Sequence, residues 1–194
     1  MLGEDSAGLQ ALIDLTSHTG RHDRDVVPLS FPAPLNMPAA VRAAFAFPAP
    51  EWQFSDGTVP HIVVADTLRA AITSATERYG QFLRDTEQGP CTLSFVVERY
   101  RLTGDFHTIT DREVFAPCYN SADFSVAHAL VNSLSTEKAN GLIYDCLVGE
   151  TALVLKPACL SGFNTERSVA LDWNGAAFER YYDYRDLHWS RLVG

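Results

Sequence analysis

Two apolar periods alternate along this chain, and the clearest change from one to the other lies between Phe54 and Leu83. Ser55-Asp56-Gly57 carries turn chemistry, and Ile62 to Val64 is a β-branched run that predicts a buried strand. Asp66 or Thr67 can then cap a helix. In that helix Leu68, Ala71, Ile72, Ala75, Tyr79 and Phe82 fall on one stripe at helical spacing, which predicts an inward face. A strand that feeds a helix through a short turn sets the strand end beside the first helical turns, where pockets often form.

The rest of the chain gives shorter signals. Leu9, Leu12 and Ile13 predict a short amphipathic helix over Ser6 to Thr16, read as an edge cover before a docking helix. Ser17 to Asp25, with Arg21, Arg24, His18 and His22, reads as a polar loop, since two histidines on a loop do not make a metal site. Pro38 opens a helix with Val41, Ala44 and Phe45 on one face, and Pro48 and Pro50 end it. Leu93, Phe95 and Val97 alternate in a strand over Cys91 to Tyr100, and Phe106 to Ile109 predicts another. After a loop at Pro117-Cys118-Tyr119-Asn120, Ser121 is the expected cap of a helix whose stripe is Phe124, Ala127, Leu130, Val131 and Leu134, with His128 at its boundary. Asn140-Gly141 ends that helix, and Leu142 to Tyr144, Thr151 to Leu155 and Ser168 to Leu171 are short strands. Asp172-Trp173-Asn174-Gly175 is a turn before Ala176 to Phe178, and the aromatic tail, Tyr181, Tyr182, Tyr184 and Trp189, suits packing back on the domain or an interface.

Two ordered blocks resemble the RES-domain family, the toxin half of bacterial toxin–antitoxin pairs. The first is Phe54-Ser55-Asp56-Gly57, a strand ending in Ala65-Asp66-Thr67-Leu68, then Ala70-Ala71-Ile72 and Phe82-Leu83. The second is Asn140 to Asp145, Ala152 to Pro157, and Leu171-Asp172-Trp173-Asn174-Gly175. The resemblance implies an α+β domain of short mixed strands packed with helices, related to ADP-ribosyltransferases. It divides the chain into an N-terminal helix and loop (1–25), a RES-like domain (26–178) and an aromatic tail (179–194). It also implies NAD as substrate or ligand, no metal, and an antitoxin or paralogous protein as partner, with a homodimer as a further expectation.

Most of the family's polar signature is substituted. Gln53 stands where the family usually has an arginine, Val63 where it has a tyrosine, and Ser74 where it has a glutamate. The second block reads Tyr144-Asp145-Cys146-Leu147-Val148, with Cys146 at a serine position and Val148 at an arginine position. The positions implied to face the ligand are Gln53, Val63, Ser74, Arg78, Tyr144 and Cys146, and Arg24 is a weaker candidate for pyrophosphate contact. No catalytic residue is assigned. Cleavage of a nicotinamide–ribose bond builds positive charge on the sugar, so loss of a fixed carboxylate weighs against turnover. Neither Gln53 nor Val148 replaces the arginine fork that grips a pyrophosphate. Glu77, the nearest helical acid, falls opposite Leu68 and Ile72 and is expected to meet solvent. The resulting expectation is a RES-type toxin homologue that binds or degrades NAD with catalysis reduced or lost; the alternative is a non-catalytic protein that keeps an antitoxin- or partner-binding surface.

Composition narrows the partners. The 194 residues are 46% hydrophobic, enough for one sizeable core, and carry a formal charge of −9. With Lys138 and Lys156 the only lysines, a general nucleic-acid face is not expected. No apolar run is long enough to span a bilayer, and Met1-Leu2-Gly3-Glu4-Asp5 lacks signal-peptide character, so the expected location is the cytoplasm. Cys91, Cys118, Cys146 and Cys159 are widely spaced, which fits buried thiols rather than a zinc site or a redox pair.

Overall fold

The computed structural model describes residues 20–26, 29–30, 41, 44–45 and 49–192. The helix expected over Ser6 to Thr16 lies outside them. The chain forms one α+β domain. Its elements are β1 (Gly20–Val26), β2 (Leu29–Ser30), β3 (Ile62–Ala65), α1 (Leu68–Asp85), β4 (Cys91–Thr108), α2 (Ser125–Thr136), β5 (Gly141–Asp145), β6 (Glu150–Val154), β7 (Leu160–Trp173), β8 (Phe178–Asp183) and β9 (His188–Arg191), with 3-10 turns at Ala116–Tyr119 and Pro157–Cys159. Val41, Ala44 and Phe45 are helical, as their spacing predicts.

The main path of the sheet runs β3-β6-β5-β4-β7-β8-β9, with β1 and β2 paired to β4 off that path. All contacts along it are antiparallel except β4 with β5, where His107 and Thr108 meet Leu142 and Ile143 in parallel. Strands β3, β5 and β6 are apolar on both faces because both are covered. Val63, Ala65, Leu142, Tyr144 and Leu153 join the larger core, which also holds residues of α1 and α2. Val64, Ile143, Ala152 and Val154 join a smaller core with Tyr100, Leu102 and Phe106. Strand β4 serves both cores, giving Phe95 and Val97 to the first.

Four expectations are corrected. The polar loop over Ser17 to Asp25 is from Gly20 onward a strand, paired with Tyr100 to Phe106 of β4. Main-chain hydrogen bonds hold such an edge without an apolar pattern to announce it. The two strands expected over Cys91 to Tyr100 and Phe106 to Ile109 are one of 18 residues, and β7 has 14, so the strands are not uniformly short. Register shifts at Val97/Glu98 and Arg99/Arg101 absorb the breaks in its alternation. Ser121 does not cap α2: the helix starts at Ser125, whose N–H donates to Asp123 Oδ1, and it ends before Lys138, at φ 58°, rather than at Asn140-Gly141. Phe82 is 46% exposed and lies outside the inward stripe of α1. The tail beyond Phe178 packs back as the β8–β9 hairpin, with Tyr182 against Trp189 at 5.3 Å between rings.

Candidate functional site

Thr67 starts α1, its hydroxyl accepting from the N–H of Ala70 at 3.1 Å. The first half of this helix is buried on more than one side: Ala70 and Ser74 are enclosed along with Ala71, Ile72 and Ala75. The β5–β6 turn supplies the second cover. A Cβ on Gly149 would come within 2.7 Å of Asp66 Oδ1 and 3.0 Å of Ala70 Cβ, so only glycine permits this approach. Cys146 lies in the same turn, its thiol near the carbonyls of Gly149 at 3.3 Å and Ala70 at 4.0 Å.

Tyr144, at the end of β5, forms the floor. Its ring packs on Phe54 at 4.5 Å and Trp52 at 6.3 Å. Its hydroxyl and that of Ser74 are both buried, and neither makes a well-formed hydrogen bond, although the two lie close enough to interact. Burial pushes the Tyr144 phenol well above its ordinary range, against the opposing pull of Ser74 and Arg78. The phenol therefore stays protonated and is available as a hydrogen-bond donor.

Charged groups gather at the rim. Arg78 donates from Nε to the Ser74 carbonyl at 3.2 Å and places its guanidinium 5.7 Å from the Trp52 ring. Arg112 stacks 4.3 Å over Tyr119 and bonds Asp145 Oδ2 at 3.2 Å. Tyr119 braces this corner, donating to the Ile109 carbonyl at 2.7 Å and accepting from the Asp145 N–H at 2.9 Å. Glu77 stands between these cations. It is exposed, as its helix position predicts, while the surrounding protein raises its carboxyl against the pull of Arg112 and Arg78. No ion pair holds its carboxylate among the described residues.

The segment over 49–61 closes the site. Trp52 and Ser55 exchange main-chain hydrogen bonds, His128 Nε2 donates to the Trp52 carbonyl at 2.8 Å, and Asn132 donates to Asp56 Oδ2 at 2.8 Å. The Asn132 and Thr58 hydrogen bonds bring the Asp56 carboxyl down to about 2. His61 is buried, and that burial brings its imidazole down to about 4, so it is neutral near pH 7.

Ser74, Arg78, Tyr144 and Cys146 therefore converge on one place, whereas the other expected positions do not. Gln53 commits its side-chain amide to the Cys118 carbonyl at 3.0 Å, and Val63 lies in the core and offers only methyl groups. Arg24 is on β1, opposite Leu102. Burial raises the Cys146 thiol, which leaves it protonated and unsuited to nucleophilic work. The sequence reading missed Trp52, His61 and Arg112. The first two flank the turn and strand of the first block, and Arg112 carried no motif at all. Among the described residues no cluster of His, Cys, Asp or Glu could hold a metal ion, and no helix is long and apolar enough to cross a membrane.

No protein-family model matches the chain, and no curated protein matches it. A solved structure does. A chain of the M. tuberculosis MbcT–MbcA toxin–antitoxin complex is similar with a TM-score of 0.55 and 16% identity, covering 87% of this chain and 93% of that one. At that identity the likeness shows a shared fold, an α+β domain like that of a toxin–antitoxin component.

Proposed function

We propose that this protein is a RES-type toxin homologue that holds NAD or a related dinucleotide in the concavity between α1 and the end of β5, with its chemistry weakened by the substitutions at positions 53, 74 and 148. The observation that carries this reading is the convergence of Arg78, Arg112 and an unpaired Glu77 above the unpartnered hydroxyls of Ser74 and Tyr144. Two guanidinium groups suit a pyrophosphate, and the hydroxyls suit the polar edges of a sugar or a base. Glu77 is a carboxylate in the right region to steady positive charge on a ribose, though one helical turn from the position the family uses. The family resemblance supports the same ligand class, and the toxin–antitoxin neighbour supports the fold that would carry it.

The test is a binding titration with NAD beside a time course of NAD concentration, with and without phosphate. Binding that falls at least about tenfold in Arg78→Ala and Arg112→Ala, with slow turnover, is the expected result. Absence of NAD binding overturns the proposal. The second reading, a protein that works through a partner surface, has its own observation. Leu147 is 72% exposed in the left-handed region at φ 70°, and Val114 is 50% exposed. They lie on the two segments joined by Arg112 and Asp145. An antitoxin, a paralogue or a second copy of this chain would be recognised there. Capture of a partner that Leu147→Ser abolishes, in a protein that does not bind NAD, would move the assignment to it.

A further inference from the structure

Among the described residues the sheet ends in an open strand. Strand β9 is the last on the path and pairs only with β8, in unbroken register from Asp183↔His188 to Arg180↔Arg191. The next pair along, Glu179 and Leu192, is joined by the Leu192 N–H, which donates to the Glu179 carbonyl at 3.0 Å. Antiparallel pairs alternate between bonded and non-bonded, so His188 and Ser190 also turn their main-chain groups to β8. Trp189 and Arg191 turn theirs to the open side. Such edges are commonly blunted by proline, lysine or a bulge, and β9 has none of these.

The side chains divide in the same way. Tyr181 and Leu192 pack on the larger core, so the alternate residues Arg180, Tyr182, Trp189 and Arg191 stand on the outer face. Of the three tryptophans Trp189 alone is exposed, at 44%, with Arg180 4.2 Å over its ring. Arg191 lies directly opposite Arg180, a like-charge pair. Arg180 has a carboxylate in Asp172 at 2.8 Å, whereas Arg191 has no ion pair among the described residues. An exposed indole and an unpaired guanidinium, two residues apart on an open edge, are complementary to each other.

We propose that this edge is a homodimer interface, in which β9 pairs antiparallel with the β9 of a second copy about a two-fold axis at Ser190. Three axes would set the outward main-chain groups against one another. One at Arg191 places it against the partner's Arg191, a repulsive pair. One at Trp189 places Arg191 against the partner's Leu187, which lies at φ 54° outside the strand. The axis at Ser190 places Trp189 against the partner's Arg191 and Arg191 against the partner's Trp189, so both pairs exchange main-chain hydrogen bonds and each guanidinium meets an indole. Because the edge is complementary to itself, a second copy fits it better than an unrelated strand. The sheet continues through the axis with both α1–β5 sites beyond β4, so the pairing is independent of what those sites hold. An edge of four residues buries less than the ~1,200 Å² of a stable complex, so association in the micromolar range is expected.

Sedimentation of the full chain from micromolar to several hundred micromolar is expected to show the mass rising toward that of a dimer. Arg191→Pro removes an outward N–H while leaving the bonds to β8 intact, so it is expected to hold the chain as a monomer with an unchanged melting transition. Ser190 would face its own copy in a non-bonded pair, with Cα atoms about 4.5 Å apart and within disulfide reach. Under mild oxidation Ser190→Cys is therefore expected to form a linked dimer at least about tenfold faster than His188→Cys, which would face the partner's Leu192. The unsubstituted chain, with Cys118, Cys146 and Cys159 buried and Cys91 half-buried, supplies the background rate. A chain that stays monomeric over the whole range overturns the proposal and assigns the edge to a strand of another protein. A dimer that survives Arg191→Pro, or equal linking of Ser190→Cys and His188→Cys, overturns it as well.

Discussion

The two ends of this sheet hold similar charged residues and treat them in opposite ways. At the β7–β8 end Arg167 bonds Asp183 at 2.7 Å, Glu166 at 2.8 Å and Asp186 at 3.2 Å, while Arg99 takes the other oxygen of Glu166 at 3.0 Å. Asp183 also accepts the N–H groups of Arg185 and Asp186. Burial pushes its carboxyl up, but Arg167 and those N–H groups outweigh it and the net shift is downward. At the α1–β5 end the carboxylate of Glu77 has no ion pair among the described residues and six polar atoms, on Trp52, His61, Asp66, Ser74, Tyr144 and Thr151, are buried without partners, against one, Arg167 Nε, at the other end. Charges that satisfy each other hold a fold together. Groups left unsatisfied cost stability, and a ligand is what redeems them.

The strongest way to break this contrast is to unpair the satisfied end. Asp183→Ala removes the shortest of three carboxylate contacts of Arg167 and leaves the N–H groups of Arg185 and Asp186 without their acceptor, and it is expected to lower unfolding free energy by about 2 kcal/mol, measured by urea denaturation, while leaving NAD affinity of the folded protein unchanged. A loss no larger than that of an exposed charge would mean that the network is ornamental.

A change of pH tests the unsatisfied end. His61 titrates at about 4 when folded against 6.5 when free. Below pH 6.5 the unfolded chain takes up a proton that the folded chain refuses, so stability is full above that value and is lost as pH falls toward 4. The contribution is at most about 3 kcal/mol, and His61→Leu should flatten that part of the profile.

Smaller still is Tyr144→Phe. Removing a hydroxyl that has no partner is expected to raise stability by about 1 kcal/mol while weakening ligand binding, a pairing of outcomes that thermal melting and titration read together. A loss of stability would show that the hydroxyl is satisfied after all. The least effect on the fold belongs to Glu77→Gln, within about 0.5 kcal/mol, so any fall in NAD turnover in that variant reports on chemistry alone.

Much of the scaffold was legible in the pattern of residues. Ile62 to Val64, the cap at Thr67 and the stripe of Leu68, Ala71, Ile72 and Ala75 depend on local periodicity, and local periodicity survives folding. Strand β1 was not legible, because Arg21 to Asp25 are held by main-chain pairing to β4, which side chains do not advertise. Of the candidate site, Ser74, Tyr144 and Cys146 came from a family pattern and Arg78 from its place one helical turn after Ser74, and they lie together. Glu77 was read on the solvent face, and it is exposed there; what a helical wheel could not give is its nearness to Arg112. Arg112 comes from a segment 34 residues beyond Arg78 in the numbering, and only the closure of the sheet brings the two to one rim.

Strand β4 also governs when the protein can exist during synthesis. Its partner β7 does not end until Trp173, and Cys91 pairs with that last residue. A nascent chain that has just exposed β4 therefore waits through the translation of α2, β5, β6 and β7, several seconds at about 5–20 residues per second, with one long edge unmatched. Tyr144 leaves the ribosome well before that edge is closed. An assembled pocket thus arrives only near the end of the chain, and the interval before it is when a binding chaperone, or any protein able to lend a strand, would have its best access.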